Sequence, residues 1–190
     1  MGPFATEADF VEEFLGKRSG QNPGWLTLAV IDKTRPFSQE DEEGELAGMM
    51  TFMNTSVEHL STEIGCLVVL PKYHRTHVTS NAVGLMLQHA LMATEDGGMG
   101  LRRVQWQANS MNLASIRVAE RMGFLKEGLL RWHYVFRNGA QTAKVGNGRT
   151  LPGGSCESDF GRDTVVLGLC WDDWENGARE IVQKVMDRTS

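Results

Sequence analysis

The most constraining stretch of the chain is Thr62–Leu70, an almost continuous apolar run that Pro71 ends. Such a run reads as a strand covered on both faces, in the middle of a sheet. It feeds the polar turn Lys72-Tyr73-His74-Arg75-Thr76-His77-Val78-Thr79-Ser80. A helix is expected next, over Ser80–Thr94, where Val83, Leu87, Ala90 and Leu91 recur three to four apart and Gly97 and Gly98 form the stop. A strand, a polar turn and a helix start in succession make an anion site, because the first helical N–H groups are unpaired and lie at the positive end of the dipole. An ordinary capped helix start has the same appearance, so this run alone does not decide between the two.

The flanking segments alternate in type. Thr6 or Glu7 can cap a first helix running to about Lys17, with Phe10, Val11, Phe14 and Leu15 on one face. Strands are expected at Trp25–Ile31, Leu46–Asn54, Arg102–Ala108, Leu129–Arg137 and Thr164–Trp171. Asn112–Met122 reads as a helix closed by Gly123, and Asp172 or Asp173 as the cap of a last helix reaching Met186. The first three strands have short connections and should form an antiparallel meander. The sum is a mixed α/β (α+β) domain, its sheet mostly antiparallel with helices on both faces.

Length and charge narrow the class. A chain of 190 residues suits one domain, here residues 1–190. Two loops stand out: acidic Glu40–Glu45, and Asn138–Gly161, a flexible insertion with six glycines and Pro152. Nineteen basic against 24 acidic residues give a net charge of −5, which argues against nucleic acid as a partner. The longest uncharged run, Thr76–Thr94, contains His77, Asn81, Gln88 and His89, so no membrane span is expected. Cys66, Cys156 and Cys170 form no CxxC pair; a reducing, cytoplasmic setting without a metal site fits them.

Further motifs follow the turn. They are Arg102-Arg103-Val104, Asn112 with Ser115, Glu120-Arg121-Met122-Gly123-Phe124, Glu127-Gly128 and Arg131, then Asp163-Thr164 and Trp174. Taken with Glu63-Ile64-Gly65, Pro71, Tyr73 and Arg75-Thr76, this order and spacing over residues 24–175 resembles the GNAT superfamily of acyl-CoA-dependent N-acyltransferases. The nearest branch in appearance is the ribosomal-protein alanine N-acetyltransferase type.

The resemblance implies an acetyl-CoA-dependent N-acetyltransferase acting on a primary amine, either a small molecule or a protein N-terminus, by direct attack in a ternary complex. It implies a central strand pair that splays, so that Leu67, Val68 and Val69 pair with the pantetheine arm as an added strand would. It assigns the pyrophosphate to His74, Arg75, Thr76, His77, Val78, Thr79 and Ser80. Asn112 and Ser115 would lie beside the pantetheine and its sulfur. Glu63, 11 residues before His74, matches the place of the general base in histone-type members, and a backbone N–H such as that of Val69 would stabilise the oxyanion. Glu63 is equally readable as a structural strand carboxylate. Many members carry a tyrosine acid where this chain has Ala119, which leaves Ser115 as proton donor, with Tyr134 and His133 as alternatives.

Three departures oppose this reading. His77 stands where the family turn usually has glycine, whose merit is close backbone approach. His74 and Thr79 also replace the customary residues. Family domains usually begin with a strand and helix before the segment that Gly2-Pro3-Phe4 resembles, so an uncovered sheet edge and a homodimer are among the expectations. The competing class is an impaired acyl-CoA-binding or interaction protein of the same fold.

Overall fold

Six strands form one mixed, mostly antiparallel sheet: β1 (Leu26–Asp32), β2 (Glu45–Ser56), β3 (Ser61–Val69), β4 (Arg103–Asn109), β5 (Leu125–Phe136) and β6 (Phe160–Cys170). They hydrogen-bond in the order β1-β2-β3-β4-β6-β5. The structure, a computed structural model, describes residues 4–36, 44–142 and 144–188. Most of the acidic loop, Glu40–Glu43, lies outside these. The chain divides into two compact units, one formed by residues up to Gln105 together with those from Leu169 onward, the other by Trp106–Gly168.

In the first unit the expected meander is present: β1 pairs with β2 and β2 with β3, both antiparallel. Met49, Thr51 and Met53 alternate onto one face of β2 and stand opposite Val68, Gly65 and Glu63 of β3. That face is roofed by the first helix, whose Ser19 hydroxyl meets the Thr27 hydroxyl at 2.8 Å, while Thr27 meets Thr51 at 3.0 Å. Met50 and Phe52 point the other way, under α2 (Val78–Leu91), where the Phe52 ring lies 6.4 Å from that of His89. Both are buried, as are Ala47, Tyr73 and Val78, which pack together. Helices therefore cover both faces, as expected. Among the described residues no helix is long and apolar enough to cross a membrane.

The first helix departs from its expected winding. Thr6 caps a short turn, α1 (Glu7–Asp9), through a reciprocal pair of hydrogen bonds with Asp9, and the chain continues as a π-helix over Phe10–Ser19. Wider winding breaks the three-to-four spacing. Phe10 and Phe14 still stack at 5.5 Å, but Val11 turns outward and is 49% exposed.

α2 begins at Val78, two residues early, with His77 as its N-cap, and ends at Leu91 because Met92 turns to extended backbone. Gly97, at φ +83°, closes the separate turn Thr94–Asp96 rather than α2. The last helix is capped by Cys170, not by Asp172 or Asp173. The Cys170 N–H donates to the Asp173 carboxylate at 3.0 Å, and the helix runs through α4 (Trp171–Asp173) and a kink at Asn176–Gly177 into α5 (Arg179–Met186).

In the second unit α3 (Leu113–Arg121) is capped as the sequence implies, by Asn112 before it and by Gly123, at φ +89°, after it. β5 starts at Leu125, four residues before its expected start, and pairs antiparallel with β6. The register jumps between Leu130 and Tyr134, and Trp132 sits at φ +54° in this bulge. Asp163 of β6 pins it by accepting from the Trp132 N–H at 2.8 Å. The glycine-rich insertion is stapled: Arg137 and the Asn138 N–H bond Asp159, and Asn147 and Arg149 bond Asp163.

Candidate active site

Glu63 is the one charged residue of β3, and it is only 6% exposed. A buried carboxylate needs donors. Asn54 of β2 supplies one at 3.1 Å, and the Gln105 amide approaches the same oxygen at 3.5 Å. Asn54 reaches it across the antiparallel pair, and Gln105 across the parallel one, where it is the register partner of Glu63. Neither partner could be picked out from the sequence around Glu63, because each is delivered by strand pairing.

The parallel ladder between β3 and β4 runs through Ser61, Thr62 and Glu63 and ends there. β3 continues to Val69 with β2 as its neighbour. Its register on β2 jumps between Gly65 and Val68, and Cys66 occupies the left-handed region at φ +49°. A bulge with a non-glycine residue in that region costs on the order of 1–3 kcal/mol and re-aims the peptides that follow. Those peptides are Leu67, Val68 and Val69, the stretch to which the resemblance assigns the pantetheine arm. Of their groups, the Val69 carbonyl is engaged by His74 Nε2 at 2.9 Å.

The turn after Pro71 is ordered from within. Thr76 donates its hydroxyl to the Tyr73 carbonyl at 2.8 Å and accepts from the Val78 N–H at 3.3 Å. Arg75 is exposed and stands at φ +64°. Val78 and Ser80 are buried, so Val78 can offer a ligand only its backbone. His77 does not point free into the turn: its Nε2 lies 3.5 Å from Asp32 Oδ1, at the end of β1. Asp32 is buried; desolvation pushes its pKa upward, but the Thr34 hydroxyl and N–H, with His77, hold it below the ordinary carboxylate value. Asp32 gave no signal in the sequence, since its partner is 45 residues away.

In the second unit Ser115 lies in the first turn of α3, its N–H donating to the Asn112 side chain at 3.1 Å. Its hydroxyl accepts from the indole N–H of Trp106 at 3.0 Å. Trp106 is buried and meets Phe124 edge-on at 5.6 Å. Tyr134 is 48% exposed, with the His133 ring 4.0 Å from its own and the Arg162 guanidinium 5.2 Å from its ring centre. Ser115 thus belongs to a packed cluster around Trp106, and Tyr134 to an open strand surface.

Comparison with known proteins bears on what this geometry serves. The family model described as the acetyltransferase (GNAT) domain matches residues 2–125. An uncharacterized N-acetyltransferase of Bacillus subtilis, YoaA, is 32% identical over 95 residues, which is 50% of each chain. The crystal structure of a GCN5-related N-acetyltransferase from Brucella melitensis aligns with a TM-score of 0.69 at 26% identity, over 98% of this chain and 67% of that one. That of a probable GNAT-family acetyltransferase from Chromobacterium violaceum aligns with a TM-score of 0.67 at 24% identity, over 92% and 70%, and bears on the fold alone. These relatives do not single out the ribosomal-protein branch. The family match spans well over half of the sequence, and the chain belongs to the GNAT acetyltransferase family.

Proposed function

We propose that the protein transfers an acetyl group from acetyl-CoA to a primary amine, with Glu63 as the general base. The observation that carries this reading is a buried carboxylate on β3, oriented by two side-chain amides and followed within three residues by a strained bulge. A carboxylate held this way is positioned to take a proton directly or through one water. The amine nitrogen attacks the thioester carbonyl, a C–N bond forms and the C–S bond breaks. The proton lost by the amine goes to Glu63, and the departing thiolate takes one from a donor.

For the donor we favour Ser115 over Tyr134. An indole N–H can only donate, so the bond from Trp106 occupies a lone pair of Ser115 and leaves its O–H proton available. In the turn, Arg75 and the first N–H groups of α2 are the groups suited to the pyrophosphate. The His77 side chain is drawn toward Asp32, so its imidazole does not stand over the turn and the backbone there is what a pyrophosphate would meet.

The test is thiol release from acetyl-CoA with an amine panel. Glu63→Gln should lower kcat by about 10²-fold or more, the range of general-base catalysis, and leave acetyl-CoA affinity within about twofold. Undiminished turnover in Glu63→Gln would remove Glu63 from the chemistry. Acetyl-CoA binding without transfer to any amine would favour the competing reading of a binding protein.

A further inference from the structure

The face of the sheet that carries Glu63 also holds a cavity of about 760 Å³. Its walls are Phe4, Phe10 and Leu15 from the N-terminal segment, and Met49, Val68 and Leu70 from the sheet side. The aromatic wall is braced, with Phe4 edge-on to Phe10 at 5.5 Å and Phe10 stacked on Phe14. Among the described residues no ionisable side chain lines the cavity, and its one side-chain hydroxyl, that of Thr27, is already engaged by Ser19 and Thr51.

Register connects this cavity to the carboxylate. Val68, Gly65 and Glu63 follow one another on the same face of β3, opposite Met49, Thr51 and Met53. Gly65, between the wall and the carboxylate, has no side chain, and a Cβ there would lie 2.8 Å from Met53 Sδ. The face therefore offers a carboxylate at one end and uncharged walls at the other, with the Met53 side chain lying against Gly65 between them. A second ammonium group placed among those walls would lose its hydration and find no partner. An aromatic or branched aliphatic group would gain from leaving water.

We propose that this cavity receives the body of the acceptor, which is a primary amine carried on an apolar group and not a polycation. The inference rests on Glu63 as the base. The shared chemistry is an amine beside a large apolar substituent, whether on a free molecule or on the first residue of a peptide.

The experiment compares kcat/KM at saturating acetyl-CoA for 2-phenylethylamine, a tetrapeptide beginning with phenylalanine, propylamine and spermidine. One or both ring-bearing amines should exceed propylamine and spermidine by about 100-fold, the worth of burying one ring. Whichever of the two leads identifies the source. Phe10→Ala should raise KM for the leading amine about tenfold without moving KM for acetyl-CoA, and Met49→Glu should narrow its lead over spermidine. A preference for spermidine, or a preference for ring-bearing amines that neither substitution moves, overturns the inference. Calorimetry with 2-phenylethylamine in the presence of CoA separates the two levels. Binding that Phe10→Ala weakens, with no acetylation of any amine, keeps the cavity assignment and discards the transfer reaction. Absence of both binding and transfer discards both.

Discussion

Gly48 is where the backbone geometry of the proposed donor-binding strand can be tested most directly. It is buried in β2 opposite Val69, and a Cβ built on it would sit 2.1 Å from the Val68 carbonyl oxygen and 3.0 Å from the Val69 Cα. Both contacts are backbone, so no side-chain rotation relieves them. An alanine must push β3 away by roughly 1 Å, an overpacking cost of about 1–3 kcal/mol. Against it stands the lower chain entropy of unfolded alanine, about 0.4–1 kcal/mol. The expected net loss is about 1–2 kcal/mol, or about 2–8 °C in Tm for a chain of this size. Gly128→Ala in β5 is the control, since nothing lies within 4 Å of a Cβ there, and it should be neutral or slightly stabilising. Thermal melts of both variants beside the parent chain measure the difference. The displaced peptides are those proposed to pair with the pantetheine arm, so KM for acetyl-CoA should rise severalfold in Gly48→Ala alone. Equal Tm values for the two variants would refute the close packing of β2 on β3. A Tm drop with unchanged KM would leave the packing intact and remove Val68 and Val69 from the donor site.

Three more expectations follow from individual contacts. Ser115→Ala leaves the buried Trp106 N–H without its acceptor and should cost about 1–3 kcal/mol, read as a shift in the urea midpoint; an unshifted midpoint would show that the hydrogen bond contributes nothing. Asn112→Ala removes the cap of α3 and should cost about 1 kcal/mol, whereas Asn112→Asp should retain most of it; equal losses would argue against a capping role. The acid side of the stability profile should be set partly by Asp159 and Asp163. The Asn138 N–H holds the first below the ordinary carboxylate value, and the Trp132 N–H holds the second below it. The folded state then binds fewer protons than the unfolded one, so their contribution is complete above the ordinary pKa of about 3.9 and fades as pH falls through the lower folded values. Asp163→Asn should flatten the fall in Tm between neutral and acid pH, and an unchanged slope would contradict the assignment.

What the sequence disclosed about this site, and what it withheld, divide along one physical line. Features that depend on a few consecutive residues were legible: the strand ending at Pro71, the Asn112 cap, the Gly123 stop and the polar turn before α2. Boundaries slipped where competing local terms are close in energy, as at His77, where Thr76 turns its hydroxyl onto the Val78 N–H and lets the helix begin two residues early. The π-helix over Phe10–Ser19 was missed because a periodicity of 3.6 assumes the winding it is meant to detect. The partners of Glu63 and His77 were hidden for a different reason. Asn54, Gln105 and Asp32 are brought to them by register, and the register is set by bulges at Ala47, Cys66 and Asn54 that no local pattern announces. A one-residue slip in any of these pairings would turn side chains to the opposite face. Strand alternation separates the buried row under α2 from the row that carries Glu63 and Gly65, and the bulge at Cys66 brings Val68 into that second row. The chemistry proposed for Glu63 and the apolar body proposed for its substrate therefore depend on one structural feature, the register of β3 on β2. Variants that shift that register should disturb base catalysis and acceptor choice together, and variants confined to the cavity wall should disturb only the second.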